Sequence, residues 1–217
     1  MRARCCAAFL FAALTPFWLA AQASAGTATS ITGLYRTGQE STPEWFWGVD
    51  NHWTSSNASG EAYVVGLFLP GSWATSSSAK WISANVFGSP GTSVDYSYAL
   101  TFDIAGTGTG ATSNASITLT LYVDDTAIIY VNGVQTAVVN GSNLNSTPTT
   151  LTLNSNFVIG SNTISIAVHN VAGSSGLMVS SISGVVPEVG AWVPLAGTLL
   201  LYGWLRLRRK KKFPLAA

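Results

Sequence analysis

The sequence predicts an all-β fold, a single β-sandwich or jelly roll, on three observations. Short segments that are apolar, or that alternate apolar with polar residues, recur about every 10 to 15 residues between turns of Gly, Asn and Ser. Aromatic residues make up 11% of the chain, and disordered chains are poor in such residues. Between residues 26 and 185, no segment has the convincing apolar period of an amphipathic helix.

The segment Ile117–Val123 gives the clearest strand, because its apolar residues occupy every second position. Asp124–Thr126 is expected to form a turn, and a strand over Ala127–Val131 follows it. Asn132-Gly133 is the strongest short signal for a hairpin, because both positions of a type I′ turn need a positive φ. Val134–Val139 completes the predicted hairpin.

The other predicted strands are rich in β-branched and aromatic residues and are bounded by turn residues. In one of them, Ile164 and Ile166 share a face with Val168, which places His169 on the opposite face. These strands are Ala62–Leu69, Tyr96–Ile104, Thr150–Leu153, Asn156–Ile159, Thr163–His169 and Leu177–Ile182.

The N-terminal residues 1–25 have the pattern of a secretory signal peptide. Arg2 and Arg4 precede an apolar run, and the small residues Ala23–Ala25 supply a cleavage site of the A-x-A type. We therefore expect cleavage at the end of this segment. An uncleaved N-terminal membrane helix is the alternative.

The C-terminal segment 189–205 is predicted to be a transmembrane helix. It has 17 residues without a charge, and Trp192 and Trp204 lie near its ends, where aromatic side chains favour the membrane–water interface. A basic cluster follows, and because positive charge stays on the cytoplasmic side, the bulk of the chain would lie outside. The cluster consists of Arg206, Arg208, Arg209, Lys210, Lys211 and Lys212.

Residues 26–185 form one predicted domain of about 160 residues. Arg36 and Lys80 are its basic residues, against eight acidic ones, so the domain has a net charge of −6 while the whole chain sums to +1. Such a domain is not expected to bind nucleic acid, because phosphate neutralisation needs Lys and Arg. Cys5 and Cys6, the only cysteines, lie in the predicted signal peptide, so the mature chain would have no disulfide and no cysteine-based site.

Taken together, the C-terminal features resemble the three-part PEP-CTERM sorting signal of Gram-negative bacteria, here over residues 186–212. The motif Val186-Pro187-Glu188 precedes the apolar segment, and Val189 stands where the family's motif usually has a second proline. The resemblance implies export, retention in the inner membrane, cleavage near the motif by a dedicated membrane protease, and passage outward. It also implies bacteria that commonly make exopolysaccharide and biofilm.

The predicted domain resembles a recurrent ectodomain of PEP-CTERM proteins, which generally has no assigned activity. Its later part, "YVNGV" followed by "GSNTISIAVHN", is also similar to galactose-binding-like jelly rolls. Such sandwiches often act as carbohydrate-binding modules, so this resemblance implies a jelly-roll ectodomain with a carbohydrate ligand. The first resemblance rests on Ile31–Gly33, Val49–Thr54, Ala62–Val65, Lys80–Ile82, Thr101–Asp103, Val131–Gly133 and Gly160–Thr163.

The densest aromatic stretch, Pro43–Trp53, contains the candidate ligand-binding residues. Its tryptophans have flat faces on which sugar rings can stack, and its Asp and His side chains can hydrogen-bond to sugar hydroxyls. The alternative is that these large rings are core residues at one end of the sandwich, and the same ambiguity holds for Trp73 and Trp81. The candidates are Trp45, Trp47, Asp50, His52 and Trp53.

Other kinds of site have little support in the sequence. His52 and His169 are the only histidines, and nothing in their spacing brings them together with a carboxylate to bind zinc. No G-x-S-x-G elbow supports a catalytic triad, and Asp124 and Asp125 are adjacent in a turn rather than set apart as paired catalytic acids. We predict no catalytic residue, metal ligand or cofactor, and leave open a calcium ion at a loop carboxylate.

The sequence thus predicts an exported, non-catalytic protein of the cell envelope or extracellular matrix that associates with exopolysaccharide. Two alternatives remain: a passive structural or adhesion protein without a small ligand, and a glycan-processing enzyme. The expected partners are the membrane, through segment 189–205, the sorting protease and an exopolysaccharide. The inner membrane would hold the chain first, and the periplasm, cell surface or matrix would be its destination after processing.

Overall fold

The computed structural model describes residues 28–41, 48–66, 69–106, 112, 115–141, 143–144 and 147–186. The chain divides into two compact units, residues 1–186 and 187–217, and every described residue belongs to the first. The predicted signal peptide, the apolar segment 189–205 and the basic cluster therefore lie outside the described residues. Within the described ranges, no helix is long and apolar enough to cross a membrane.

The described residues form eleven β-strands and no helix, which confirms the predicted all-β fold. The strands are β1 Ala28–Thr32, β2 Val49–Ser55, β3 Glu61–Val64, β4 Ile82–Ser83, β5 Val94–Gly106, β6 Ser116–Asp124, β7 Thr126–Val131, β8 Val134–Val139, β9 Thr149–Leu153, β10 Gly160–Asn170 and β11 Gly176–Val185. Along β6, β7 and β10, buried residues alternate with more exposed ones, so each of these strands packs one face into the core.

The strands join one antiparallel sheet, whose hydrogen-bonded order is β8-β7-β10-β5-β2-β3-β4-β11-β6-β9, with β1 paired to β5. The sheet nearly closes on itself, because its end strands β8 and β9 come close to each other. Near closure leaves little free strand edge for unwanted pairing with other chains.

The two halves of the sheet face each other across one hydrophobic core, as in a sandwich. Leu100 and Phe102 of β5 and Ile166 of β10 come from one half, and Leu119 of β6 and Val179 of β11 come from the other; none of the five is more than 1% exposed. Burial of one such side chain stabilises a fold by about 1.5–3 kcal/mol. The shared core is therefore the main interaction that holds the two halves together.

A second, smaller core lies on the outer face of β6 and β11. Trp73 and Trp81, with ring centroids 4.2 Å apart, pack there with Met178 and Tyr122. The indole N–H of Trp73 donates to the Asp124 carboxylate at 2.9 Å, and that of Trp81 donates to a backbone carbonyl at 2.7 Å. The segment between β3 and β4 is thus fastened over one part of the sheet.

The predicted hairpin is confirmed: β8 has the predicted bounds and β7 begins one residue earlier than predicted. Asn132 and Gly133 have φ values of 49° and 79°, as a type I′ turn requires. The Asn132 side chain accepts a hydrogen bond from the N–H of Thr163 at 2.8 Å and donates to Asn162 Oδ1 at 2.9 Å. These bonds tie the turn to the start of β10.

The strand predicted at Asn156–Ile159 is wrong, because this segment is a loop between β9 and β10. The side chain of Asn162 binds both the N–H and the carbonyl of Val158 at 2.8 Å, so these groups need no strand partner. Asn156 has a φ of 64°, which lies outside the extended region. The apolar pattern arises because Phe157 is buried against Phe102 of the core.

Other strand boundaries also differ from the prediction. The strand predicted at Ala62–Leu69 ends at Val64, because Val65 already belongs to the second core. Three strands were not predicted from the sequence: β1, β2 and β4. The run of polar residues Asp50–His52 interrupts the alternation along β2, and the two residues of β4 are too few to show a period.

Candidate functional site

Of the predicted ligand-binding residues, Asp50, His52 and Trp53 lie on β2, whereas Trp45 and Trp47 are outside the described residues. Trp53 is a core residue. It is 1% exposed, packs in the main core, and its indole N–H donates to the carbonyl of Tyr35 at 3.0 Å. Its burial favours the packing alternative for this ring, because a buried ring offers no face to a sugar.

The carboxylate of Asp50 holds the connection between β1 and β2. Its Oδ2 accepts a hydrogen bond from the N–H of Gly38 at 2.5 Å, and its Oδ1 accepts from the N–H groups of His52 and Trp53, both at 2.9 Å. The residue is 3% exposed, and a buried charge is tolerated only when it is compensated by such bonds. Its oxygens therefore serve the backbone of this connection.

His52 contacts the same connection between β1 and β2. Its ring stacks on Tyr35, with centroids 3.4 Å apart and planes 3° from parallel. Its Nε2 lies 3.4 Å from a carboxylate oxygen of Glu40. All three described candidates thus stabilise this connection, and ligand binding by the aromatic stretch stays a prediction that centres on Trp45 and Trp47.

The two histidines lie on different strands and have different carboxylate partners. His169, on β10, has its Nδ1 2.6 Å from Asp95 Oδ1 on β5, whereas His52 has Glu40. Among the described residues, no group of three or more His, Cys, Asp or Glu side chains is placed to hold a metal ion.

Asp124 and Asp125 lie at the junction of β6 and β7, where the sequence predicts a turn. Asp124 is buried and accepts the indole hydrogen bond of Trp73. The Oδ2 atom of Asp125 accepts a hydrogen bond from the N–H of Val171 at 2.7 Å. Each carboxylate therefore fastens a neighbouring segment to this end of the sandwich.

One residue of the predicted sorting motif is described. Val186 directly follows β11 and packs, partly buried, against the main core. Pro187 and Glu188 lie outside the described residues, so the sorting role of the motif stays a prediction.

The structure brings together an array of hydroxyl groups that were not among the sites predicted from the sequence. It lies on the outer face of β11, β6 and β9, opposite to the core side that carries Leu119 and Leu121. One row consists of Ser183, Thr118 and Thr152, and the next of Ser181, Thr120 and Thr150. We name these six residues the hydroxyl face.

The hydroxyl face is regular, because the sheet itself sets its spacing. Its rows are two residues apart along each strand, about 6.6–6.8 Å, and its columns follow the strand spacing of about 4.7–4.9 Å. Between β6 and β9, the hydroxyl oxygens of Thr118 and Thr152 lie 3.4 Å apart, and those of Thr120 and Thr150 lie 3.1 Å apart. Each hydroxyl can donate one hydrogen bond and accept others.

The sequence signal for the hydroxyl face is a triplet that occurs twice. The triplet Thr-Leu-Thr occurs at 118–120 and again at 150–152. Each triplet alone predicts only a strand with one hydroxyl-bearing side. That the two triplets lie side by side depends on the pairing of β6 with β9, which single-strand periodicity does not give.

No known protein-family model matches this chain, and no curated protein matches it. Among solved structures, it is similar to a family 35 carbohydrate-binding module from Paenibacillus barcinonensis, with a TM-score of 0.38 and 14% identity over 73% of this chain and 100% of that chain. A family 35 carbohydrate-binding module from an environmental isolate gives a TM-score of 0.35 and 14% identity, over 74% of this chain and 91% of that one. The GH31 α-xylosidase of Xanthomonas citri gives a TM-score of 0.31 and 12% identity, over 73% of this chain and 17% of the enzyme. Similarity at this level does not define a function, so the functional proposal rests on the chain's own residues.

Proposed function

We propose that this protein is an exported, non-catalytic component of the cell envelope or extracellular matrix whose sandwich domain binds exopolysaccharide. The observation that carries the proposal is the hydroxyl face, an ordered and uncharged array of six serine and threonine side chains on an outer face of the sheet. The sorting signal that residues 186–212 resemble supplies the route to the envelope.

The chemistry of the hydroxyl face suits a polymer of sugars. Sugar hydroxyls both donate and accept hydrogen bonds, and the serine and threonine side chains offer both roles in return. Each such bond adds only about 0.5–1.5 kcal/mol in water, so useful affinity needs several contacts along one chain. A repeated array on a rigid sheet provides these contacts, and a long polysaccharide can use many of them at once.

The domain's charge supports the choice of a neutral polymer over a nucleic acid. Among residues 26–185, Arg36 and Lys80 are the only basic residues, and anionic phosphates need more positive charge than this. The six residues of the hydroxyl face carry no charge themselves. We therefore infer a neutral or weakly charged exopolysaccharide as the ligand.

The alternative of a passive coat or adhesion protein has one observation in its favour. Trp53, Trp73 and Trp81 are all buried, at most 4% exposed, although exposed tryptophan is the side chain best suited to stack on a sugar ring. A surface protein without a small ligand would need only a stable, polar sandwich. The two functions differ in whether the hydroxyl face has a specific partner.

The proposal is tested by co-sedimentation of the purified protein with the insoluble exopolysaccharide of its own host. We expect the double variant Thr120→Val/Thr150→Val to bind about tenfold more weakly, because it loses two hydroxyls without loss of volume. The matched control is Thr101→Val/Thr163→Val, which changes another directly paired pair of threonines, on β5 and β10 away from the hydroxyl face.

Equal binding by both double variants would show that the hydroxyl face is not the binding site for exopolysaccharide. Absence of binding by the unmodified protein would favour the passive structural role. Release of soluble sugar during the assay would instead support the glycan-processing alternative.

A further inference from the structure

One end of the sandwich carries exposed apolar residues. The strand registers place the end of β11 beside the start of β6, and the end of β7 beside the start of β10. The β7–β8 turn and the loop between β9 and β10 lie at this same end. We name it the apolar end; its exposed apolar side chains, 41% to 59% exposed, are Val134, Val158, Ile159 and Val185.

Most of the polar residues around these side chains are neutral. The turn Asn132-Gly133 and the run Asn154–Asn156 carry amide and hydroxyl groups without charge. Asp103, which pairs with Ser161, is the acid that β5 places toward this end. A group of exposed apolar side chains within a mostly neutral polar rim is typical of a surface that contacts a membrane or another protein.

The opposite end of the sandwich has a different electrostatic character. Asp95, the second residue of β5, lies there, and Asp124 and Asp125 lie at the β6–β7 junction. Val171 is also exposed at this end, but the carboxylate of Asp125 binds its N–H. Carboxylates repel anionic lipid headgroups, so the apolar end, where Asp103 is the acid against these three at the opposite end, fits a bilayer surface better.

Chain continuity points to the same partner. The last strand ends at Val185, at the apolar end, and the apolar segment predicted to span the membrane begins at Val189. Three residues separate Val185 from Val189, so the four Cα–Cα steps between them span at most about 13–14 Å. A sandwich anchored through this link therefore has its apolar end close to the lipid surface.

We propose that the apolar end docks on the outer surface of the lipid bilayer while the C-terminal segment holds the chain. The inference rests on the route to the envelope in the proposed function, in which segment 189–205 holds the chain in the membrane. Val134, Val158 and Ile159 enter the boundary between headgroups and acyl chains, where apolar side chains of peripheral proteins are buried. Docking through one end leaves the outer faces of the sheet, including the hydroxyl face, open to a polymer.

The test uses the mature chain, residues 26–217, which contains no cysteine. A nitroxide label is attached at Val158→Cys or, as the control, at Val171→Cys, an exposed valine of the opposite end. The protein is reconstituted into vesicles of phosphatidylethanolamine and phosphatidylglycerol. Compared with the label at residue 171, the label at residue 158 is expected to collide several-fold less often with a water-soluble nickel chelate. It is expected to collide more often with oxygen. A label at Val134→Cys repeats the measurement on a second element.

Equal nickel accessibility at residues 158, 134 and 171, in protein that floats with the vesicles, would overturn docking and leave anchoring intact. Protein that fails to float with the vesicles would overturn both the anchor and the docking that depends on it. Lipid contact at residue 171 instead of 158 would show that the opposite end docks and would contradict the proposal.

Discussion

Asp50 illustrates, at the residue scale, how burial commits a polar side chain to one role. Its carboxylate is the acceptor for three backbone N–H groups, which would be left without partners in Asp50→Ala. We expect this variant to lower the free energy of unfolding by roughly 2–4 kcal/mol, measured by urea denaturation. The exposed Asp103→Ala is the control and should change it by less than about 0.5 kcal/mol. Equal effects of the two variants would contradict the assigned role.

Tyr98 gives a prediction on pH dependence. Its side chain is fully buried beside Ser83, and this burial raises the pKa of its hydroxyl above the ordinary value of 10.0. The unfolded chain therefore loses this proton at a lower pH than the folded chain does. The stabilising contribution is complete below about pH 10 and declines as the pH rises further.

The comparison of Tyr98→Phe with the unmodified protein tests this effect, through urea midpoints at about pH 9 and about pH 11. Tyr98→Phe should lose less stability between these two values, because it has no hydroxyl to ionise. The control is Tyr130→Phe, which changes a partly exposed ring of β7. It should lose as much stability between these two pH values as the unmodified protein does. An identical loss in Tyr98→Phe and the unmodified protein would exclude Tyr98 as the cause.

The turn Asn132-Gly133 belongs to the scale of the structural element. Asn132 combines a positive φ with side-chain bonds to Asn162 and to the N–H of Thr163. Asn132→Ala should therefore lower the melting temperature substantially, with roughly 2–3 kcal/mol lost in stability. The other Asn-Gly pair offers a control, because Asn140→Ala changes an exposed residue just after β8 and should have little effect. A similar drop in both variants would show that the ties to β10 contribute nothing.

At this scale, the sequence predicted those elements whose pattern is local. The strands β6, β7 and β8 have clear alternation or a strong turn signal, and they were predicted within about two residues. The predictions failed where a distant side chain determines the local structure. The loop Asn156–Ile159 is held by Asn162, and the polar run on β2 is explained by Asp50 binding the chain at Gly38.

At the scale of the whole molecule, the candidate sites depend on which strands become neighbours. The sequence predicts Pro43–Trp53 as the ligand-binding stretch because tryptophans are dense there. In the structure, Trp53 is buried in the core. The hydroxyl face requires Thr120 to meet Thr150, 30 residues away, and periodicity within single strands does not give such pairing. The apolar end likewise gathers its residues from β8, β11 and a loop.

The proposed anchoring gives a prediction at this scale. Deletion of residues 187–212 should release the sandwich as soluble protein from the envelope fraction, because it removes the apolar segment and its basic cluster. Deletion of residues 213–217 is the matched control and should leave the protein in the envelope. Both variants are assayed by fractionation and immunoblotting. Envelope retention without residues 187–212 would mean that another part of the protein carries the anchor.

We propose that the sandwich domain is exported without its N-terminal leader and is delivered to the envelope by its C-terminal signal. Intact-mass measurement of the protein recovered from its host's envelope tests this most directly. We predict a mass that lacks residues 1–25 and a chain that begins at Gly26. A cytosolic protein whose mass retains both Met1 and Ala217 would contradict the account.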